Sequence, residues 1–434
     1  MKTANQNIKP ITTKVNESGN IEIGGCDLVE LANTYGTPLY VYDEQTIRSI
    51  TKSYRDAFKS YPKMKMMFAS KAFMTKSICK IMEQEGFGLD LCSGGEIYTA
   101  KSAGFPMEKM CFHGNNKLKN ELIFAVQNGV KYIVIDSLGE VDDLNDICKE
   151  LGATQEVLVR VNPGVEAHTH HFIQTATVDS KFGFSISSGE AEDVILRILG
   201  KNNLKLAGLH CHIGSQIFEN KSFTLAVDKM TDFYKYLKET HSINFDVLNL
   251  GGGFGIYYAE GDAKKTCDQY AEYIKTISSQ LKKCVSDKKI KKPYLILEPG
   301  RSIVGEAGIT LYSVGRIKNI KNVKQYLAID GGMFENPRFA LYQAKYTVVP
   351  VIKGDNCEKY TIAGKCCESG DVIAEDVLLP SVKEGDIIAV LSTGAYNYSM
   401  ASNYNIHKRI FAFLIRYLCN VLHTRITYLL SSNQ

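Results

Sequence analysis

Eight short apolar runs, each closing on a polar, small or turn-forming residue, set the rhythm of this chain and limit what it can fold into. They end near Lys71, Ser93, Gly114, Ser137, Pro163, Gly214, Gly251 and Gly300. Runs of this length between polar flanks read as strands buried on both faces. Between them lie helical patterns such as Ser77 to Glu85, Gly95 to Ala103 and Tyr270 to Val285. Eight strand–helix units in about 240 residues predict an α/β chain built on a (β/α)8 TIM-like barrel. A doubly wound open sheet is the competing arrangement.

In a barrel the carboxyl ends of the strands carry the chemistry, so the residues at the run ends matter most. The first run, Met64 to Ala69, leads into Ser70-Lys71-Ala72. A lysine there is either a side chain that snorkels into water or a partly desolvated amine able to form an imine with a carbonyl. Gly251-Gly252-Gly253-Phe254-Gly255 is either a plain turn or a place where backbone N–H groups close around a phosphate. Glu298-Pro299-Gly300-Arg301 brings a carboxylate and a guanidinium to the last strand end, as an ion pair or as ligand-holding groups. His212-Ile213-Gly214-Ser215-Gln216 adds an imidazole and a hydroxyl. His210 and His212 lack partners at a metal-binding spacing, so no metal is expected.

Beyond Arg301 the texture changes. Strand-like segments at 309–314, 326–330, 346–351, 360–363 and 387–391 alternate with turns, predicting a C-terminal all-β domain. A helix from Asp27 to Tyr35 and a strand at Pro38 to Tyr42 are expected to join it, with hinges near Tyr42 and Gly308. The expected domains are therefore 1–42, 43–308, 309–405 and an atypical tail at 406–434. The 434 residues suit two domains, and a net charge of +4 with 23% charged residues gives no pull toward nucleic acid or membranes. Twelve cysteines without a paired framework, and a start lacking an apolar signal core, suggest a cytoplasmic setting.

An imine-forming lysine, a phosphate-sized glycine turn and a carboxylate suited to an aromatic nitrogen together describe pyridoxal 5'-phosphate. The chain resembles the barrel-type pyridoxal-phosphate decarboxylases, which share the alanine racemase-like fold, and among them the diaminopimelate decarboxylase branch. The motifs are Phe68-Ala69-Ser70-Lys71-Ala72, His212 to Gln216, Gly251 to Gly255 and Glu298 to Arg301. In the second domain they are Asn336-Pro337-Arg338, Leu341-Tyr342, Cys367-Glu368-Ser369-Gly370-Asp371 and Gly394-Ala395-Tyr396.

The resemblance implies decarboxylation of meso-2,6-diaminopimelate to L-lysine, the last step of lysine biosynthesis. It implies Lys71 as the Schiff-base lysine and His212 stacked on the cofactor. Ser215 and the Gly251, Gly252 and Gly253 backbone would hold the phosphate, beside Pro299, Gly300, Arg301 and Tyr396, and Glu298 would face the pyridine nitrogen. Cys367 would be the proton donor, with Arg301, Arg338, Tyr342, Glu368 and Tyr396 at the substrate's distal end. A homodimer with active sites shared between subunits is implied too. Alternatives are a decarboxylase of ornithine, arginine or carboxynorspermidine, a racemase, or a silent binding relative. A racemase would need a second base, and the Cys367-Glu368 pairing speaks against it.

The resemblance stops after Asn405. From Ile406 to Gln434 the chain is apolar and basic without an acidic residue. An altered reading frame, a membrane-surface helix and a diverged last element are the readings; if the tail replaces the closing strands of the β-domain, apolar side chains are left uncovered and a sheet edge is left open.

Overall fold

The alternation of buried strand and helix is realised as a closed parallel barrel. The computed structural model describes residues 8–165, 180–259, 262, 267–351, 357–408, 410–415 and 428–430. Its eight barrel strands are β1 (Met64–Ala69), β2 (Gly88–Leu91), β3 (Met110–Phe112), β4 (Tyr132–Ile135), β5 (Gln155–Asn162), β6 (Leu204–His210), β7 (Val247–Asn249) and β8 (Tyr294–Leu297). Each pairs in parallel with its neighbours, and β8 closes on β1 through Leu295↔Met64 and Leu297↔Met66. The open-sheet alternative is thereby excluded. Met67, Cys111, Val134, Leu158, Ala207, Val247 and Ile296, all from barrel strands, pack into one buried cluster. A side-chain-filled barrel of this kind is a floor for a site at its mouth, not a pore.

The short βα turns are set by local chemistry. Ser93 and Ser137, which end apolar runs in the sequence, are helix N-caps: their hydroxyls accept from Glu96 N at 3.2 Å and Glu140 N at 3.4 Å. Glu96 and Glu140 in turn accept from the amides of Cys92 and Asp136. Satisfying these first-turn donors lets each helix start directly at the strand end. The side chain just before the cap is thereby fixed at the barrel mouth.

Two compact units are present, one of 51–255 with 267–300 and the other of 1–50, 256–266 and 301–434. The divisions fall at Ile50/Thr51 and Gly300/Arg301, and the segment 256–266 belongs with the second unit. That unit is a mixed sheet in the order Val372–Pro380, Cys357–Ala363, Lys324–Ile329, Gly308–Ile320, Leu39–Asp43, Phe411–Ile415 and Tyr428–Leu430. Ile387–Val390 branches from Gly308–Ile320 and carries Val348–Pro350. Val372–Pro380 was not among the strands read from sequence. The N-terminal helix forms as expected, Leu28–Tyr35, capped by Asp27 and ended by Gly36 at φ 77°.

The tail differs from expectation in one respect. Phe411–Ile415 pairs in parallel with Leu39–Asp43, from Phe411↔Leu39 to Ile415↔Asp43, so part of the atypical sequence lies on a strand edge expected to be open. Phe413 and Ile415 are buried with Leu39, Val41, Ile309 and Leu311, and the Phe413 ring lies 4.9 Å from Tyr35. The continuous apolar run Phe411-Ala412-Phe413-Leu414-Ile415 can take a strand position whatever its origin, because pairing uses backbone and burial uses any apolar side chain. Residues 409, 416–427 and 431–434 of the expected tail lie outside the described residues. No helix of the described residues is long and apolar enough to cross a membrane.

Candidate active site

In the barrel unit the predicted residues converge at the carboxyl ends of the strands. Lys71 follows β1 in the short helical turn Ser70–Ala72. His212 follows β6, Gly251 to Gly253 follow β7, and Glu298 to Gly300 follow β8. Glu298 is buried and is the centre of a hydrogen-bonded set. His113 Nε2 lies 2.9 Å from its Oε1, Asn249 Nδ2 donates to the same oxygen at 2.6 Å, and His210 Nε2 lies 3.3 Å from Oε2. Asp90 Oδ1 lies 3.5 Å from the same His113 Nε2.

The electrostatics follow from these contacts. Burial by itself would raise the Glu298 carboxyl, but His113 first and then His210 outweigh it and hold Glu298 well below the usual carboxylate range. Burial likewise opposes a charge on His113, yet Glu298 and Asp90 keep it protonated, well above the ordinary histidine value. His210 goes the other way, pushed down to about 3 chiefly by burial. It is therefore a neutral donor to Glu298. The half-buried His212 is held well below its usual value by desolvation and then by the cations Lys71 and Arg160, so it presents an uncharged ring.

The glycines are needed for space. Gly251 and Gly253 have φ of 65° and 103°, and a Cβ on Gly252 would collide with the Glu298 carbonyl oxygen. Two of the three amides are already engaged within the protein. Gly251 N donates to Asn249 Oδ1 at 2.9 Å and Gly252 N to His212 Nδ1 at 3.3 Å. The glycine turn thus ties the β7 end to His212 as well as keeping the approach open.

These residues fit pyridoxal phosphate. A buried anion with its Oε1 saturated and its Oε2 weakly bonded suits a protonated pyridine nitrogen, and a neutral imidazole suits a ring face. Ser70 Oγ and His210 Nδ1 are among the buried polar atoms of this unit that have no hydrogen-bond partner among the described residues. Buried polar atoms are rarely left so without a ligand or water to meet them.

The second unit gathers the other predicted residues. Tyr396, at φ 73°, carries two guanidinium groups over its ring, Arg301 at 4.7 Å and Arg338 at 5.2 Å from the ring centre. Arg338 also sits 5.2 Å from the Tyr342 ring, and its Nε donates to Tyr346 Oη at 3.1 Å. Arg301 donates to Tyr258 Oη at 2.7 Å. Both arginines are buried, and among the described residues Arg338 has no carboxylate in ion-pair contact. Two buried cations stacked on one phenol make an anion-binding arrangement. Cys367 and Glu368 are exposed on the loop from Cys366 to Asp371.

Sequence reading missed Asp90, His113, Asn249, Tyr258 and Tyr346. The signal for three of them was present: Asp90 and Asn249 interrupt, and His113 ends, runs that are otherwise apolar. A polar residue inside a strand buried on both faces needs a partner, and in this barrel the partner is Glu298 or a group bonded to it.

Comparison with known proteins agrees with this geometry. Residues 47–305 match the pyridoxal-dependent decarboxylase, pyridoxal binding domain family. The chain is 49% identical over 399 residues to the diaminopimelate decarboxylase of Bacillus methanolicus, covering 91% of each chain. It is 48% identical to that of Bacillus subtilis, covering 91% of this chain and 90% of the relative. The crystal structure of diaminopimelate decarboxylase from M. jannaschii in co-complex with L-lysine superposes with a TM-score of 0.88 at 35% identity, covering 97% of this chain and 95% of that one. The chain belongs to the diaminopimelate decarboxylase family of pyridoxal-phosphate-dependent enzymes.

Proposed function

We propose that this protein decarboxylates meso-2,6-diaminopimelate to L-lysine and CO2. The observation that carries the reading is the buried, anionic Glu298, held by His113, Asn249 and His210 at the barrel end that also carries Lys71 and His212. When bound, pyridoxal phosphate supplies a ring that accepts the electron pair left behind as CO2 departs. Glu298 keeps a proton at the ring nitrogen. Lys71 supplies the amine that attaches the cofactor, and His212 covers one ring face. Ser215 and the Gly251 to Gly253 turn, whose Gly251 and Gly252 amides are engaged with Asn249 and His212, would line the phosphate end with Pro299, Gly300 and Tyr396.

Arg301 and Arg338 offer guanidinium forks for the distal carboxylate, Glu368 an anion for the distal ammonium, and Tyr342 and Tyr396 shape the space between. Cys367 delivers the proton that replaces the lost carboxylate. The relative from M. jannaschii, whose structure is in co-complex with L-lysine, supports a product of this chemistry. We place the protein in the cytoplasm as a homodimer whose sites take Lys71 from one subunit and Cys367 from the other.

The test is turnover of purified protein on meso-diaminopimelate against ornithine, which lacks the distal carboxylate. Discrimination of about 10⁴ or more is expected, narrowing in Arg338→Ala; comparable rates on both substrates overturn the substrate assignment. Mixing Lys71→Ala with Cys367→Ala under subunit exchange should restore about a quarter of wild-type activity. A mixture that stays inactive although exchange is demonstrated rules out shared sites.

A further inference from the structure

We propose that Asn405 is a positioning residue for Cys367: its side chain holds the backbone of the Cys366–Asp371 loop and thereby fixes where the thiol stands. The proposal rests on the reading of Cys367 as the proton donor. Cys367 N donates to Asn405 Oδ1 at 3.2 Å. On its other side the loop is pinned by Asp371, whose carboxylate accepts from Cys366 N at 2.7 Å and from Met333 N at 2.6 Å. Backbone bonds from Glu368 N to Cys366 O and from Asp371 N to Glu368 O close the loop on itself. Among the described residues, Asn405 is the side chain recorded at the backbone of Cys367 itself.

The segment that brings Asn405 there is anchored at both ends and strained in the middle. Ser402 N donates to Phe334 O at 2.7 Å, and the His407 ring stacks on Phe334 at 4.5 Å and 29°. Between these anchors Asn405 and Ile406 have φ of 52° and 61°. Asparagine tolerates that region, but a β-branched isoleucine does not, and Ile406 is 94% exposed, so no burial of its side chain compensates. Backbone strain at an exposed position persists only where surrounding contacts fix it. In this segment the contacts include the Phe334 anchors, the backbone bonds from Ile406 N to Asn403 O at 2.8 Å and from His407 N to Tyr404 O at 3.2 Å, and the bond to Cys367. The arrangement turns residues 402–407 into a strap across the loop that carries the acid.

Asn405→Gly tests this, because glycine keeps the positive φ at no cost and deletes only the side chain. Loss of one positioning hydrogen bond should lower kcat about five- to ten-fold while KM stays within about two-fold. Alkylation of Cys367 by iodoacetamide, followed by peptide mapping to separate it from the exposed Cys92 and Cys357, should change rate by about three-fold or more. Asn405→Asp retains an acceptor oxygen at the same place and should return both readouts toward wild type. The proposal is overturned if Asn405→Gly keeps wild-type kcat and alkylation rate. It is equally overturned if Asn405→Gly and Asn405→Asp lose activity alike with a lowered Tm, which marks a merely structural strap. Wild-type turnover in Cys367→Ala would refute the proton-donor reading instead, and is distinguishable because the alkylation contrast at Asn405 would persist in the chain with Cys367 intact.

Discussion

Replacing His113 by Phe tests the electrostatic centre of the barrel mouth. The imidazolium stands 2.9 Å from Glu298 and 3.5 Å from Asp90. At an effective dielectric of about 20 these separations correspond to roughly 6 and 5 kcal/mol of attraction, against a desolvation cost of several kcal/mol per buried ion. Removing one partner leaves two buried carboxylates without their cation, so a net loss of about 3 to 5 kcal/mol is expected, toward the lower end because Asp90 can take up a proton. For a unit of this size that is a fall in Tm of about 6 to 15 °C, read by thermal unfolding of the cofactor-free protein. The sign of the pH dependence is a second readout. A carboxyl held below its unfolded value contributes stability that is present above about pH 4.5 and is lost as pH falls through its folded value; a histidine held above its unfolded value contributes below about pH 6.5 and loses it as pH rises through its folded value. The pair is therefore at full strength between these limits, and wild type should lose stability steeply on acidification where His113→Phe loses it more gently. A variant that melts within a degree or two of wild type, with an unchanged acid limb, would show that His113 does not hold Glu298 as an anion.

Two further substitutions probe other parts of the structure. Gly252→Ala places a methyl group against the Glu298 carbonyl, and a cost of about 1 to 3 kcal/mol should weaken pyridoxal-phosphate binding roughly 5- to 150-fold by titration of the apoprotein; unchanged affinity would remove the glycine turn from the site. Phe413→Ala empties a position that is 2% exposed beside Leu39 and Val41, and should cost about 3 to 5 kcal/mol in denaturant unfolding, whereas wild-type stability would show that the 411–415 strand contributes nothing to the sheet.

The barrel, the positions of its eight strands and the strand-end placement of Lys71, His212, Gly251 and Glu298 were legible in the sequence, because strand length, two-sided burial and glycine turns are local properties that a residue carries with its neighbours. Ser93 and Ser137 were legible as boundaries for the same reason, although their role as helix caps needed the Glu three residues on to be seen in place. What the tertiary structure decided is the company each group keeps. His113 and Glu298 are 185 residues apart in the chain and share a hydrogen bond only because the sheet closes on itself, and that closure makes one an imidazolium and the other an anion. In the other unit, Arg301 and Arg338 meet over the Tyr396 ring, and the tail residues 411–415 lie against Leu39–Asp43, through the same kind of long-range pairing. A sequence states which side chains are available at a strand end; charge state and partner are set by distances across the fold, which depend on every strand being in register at once.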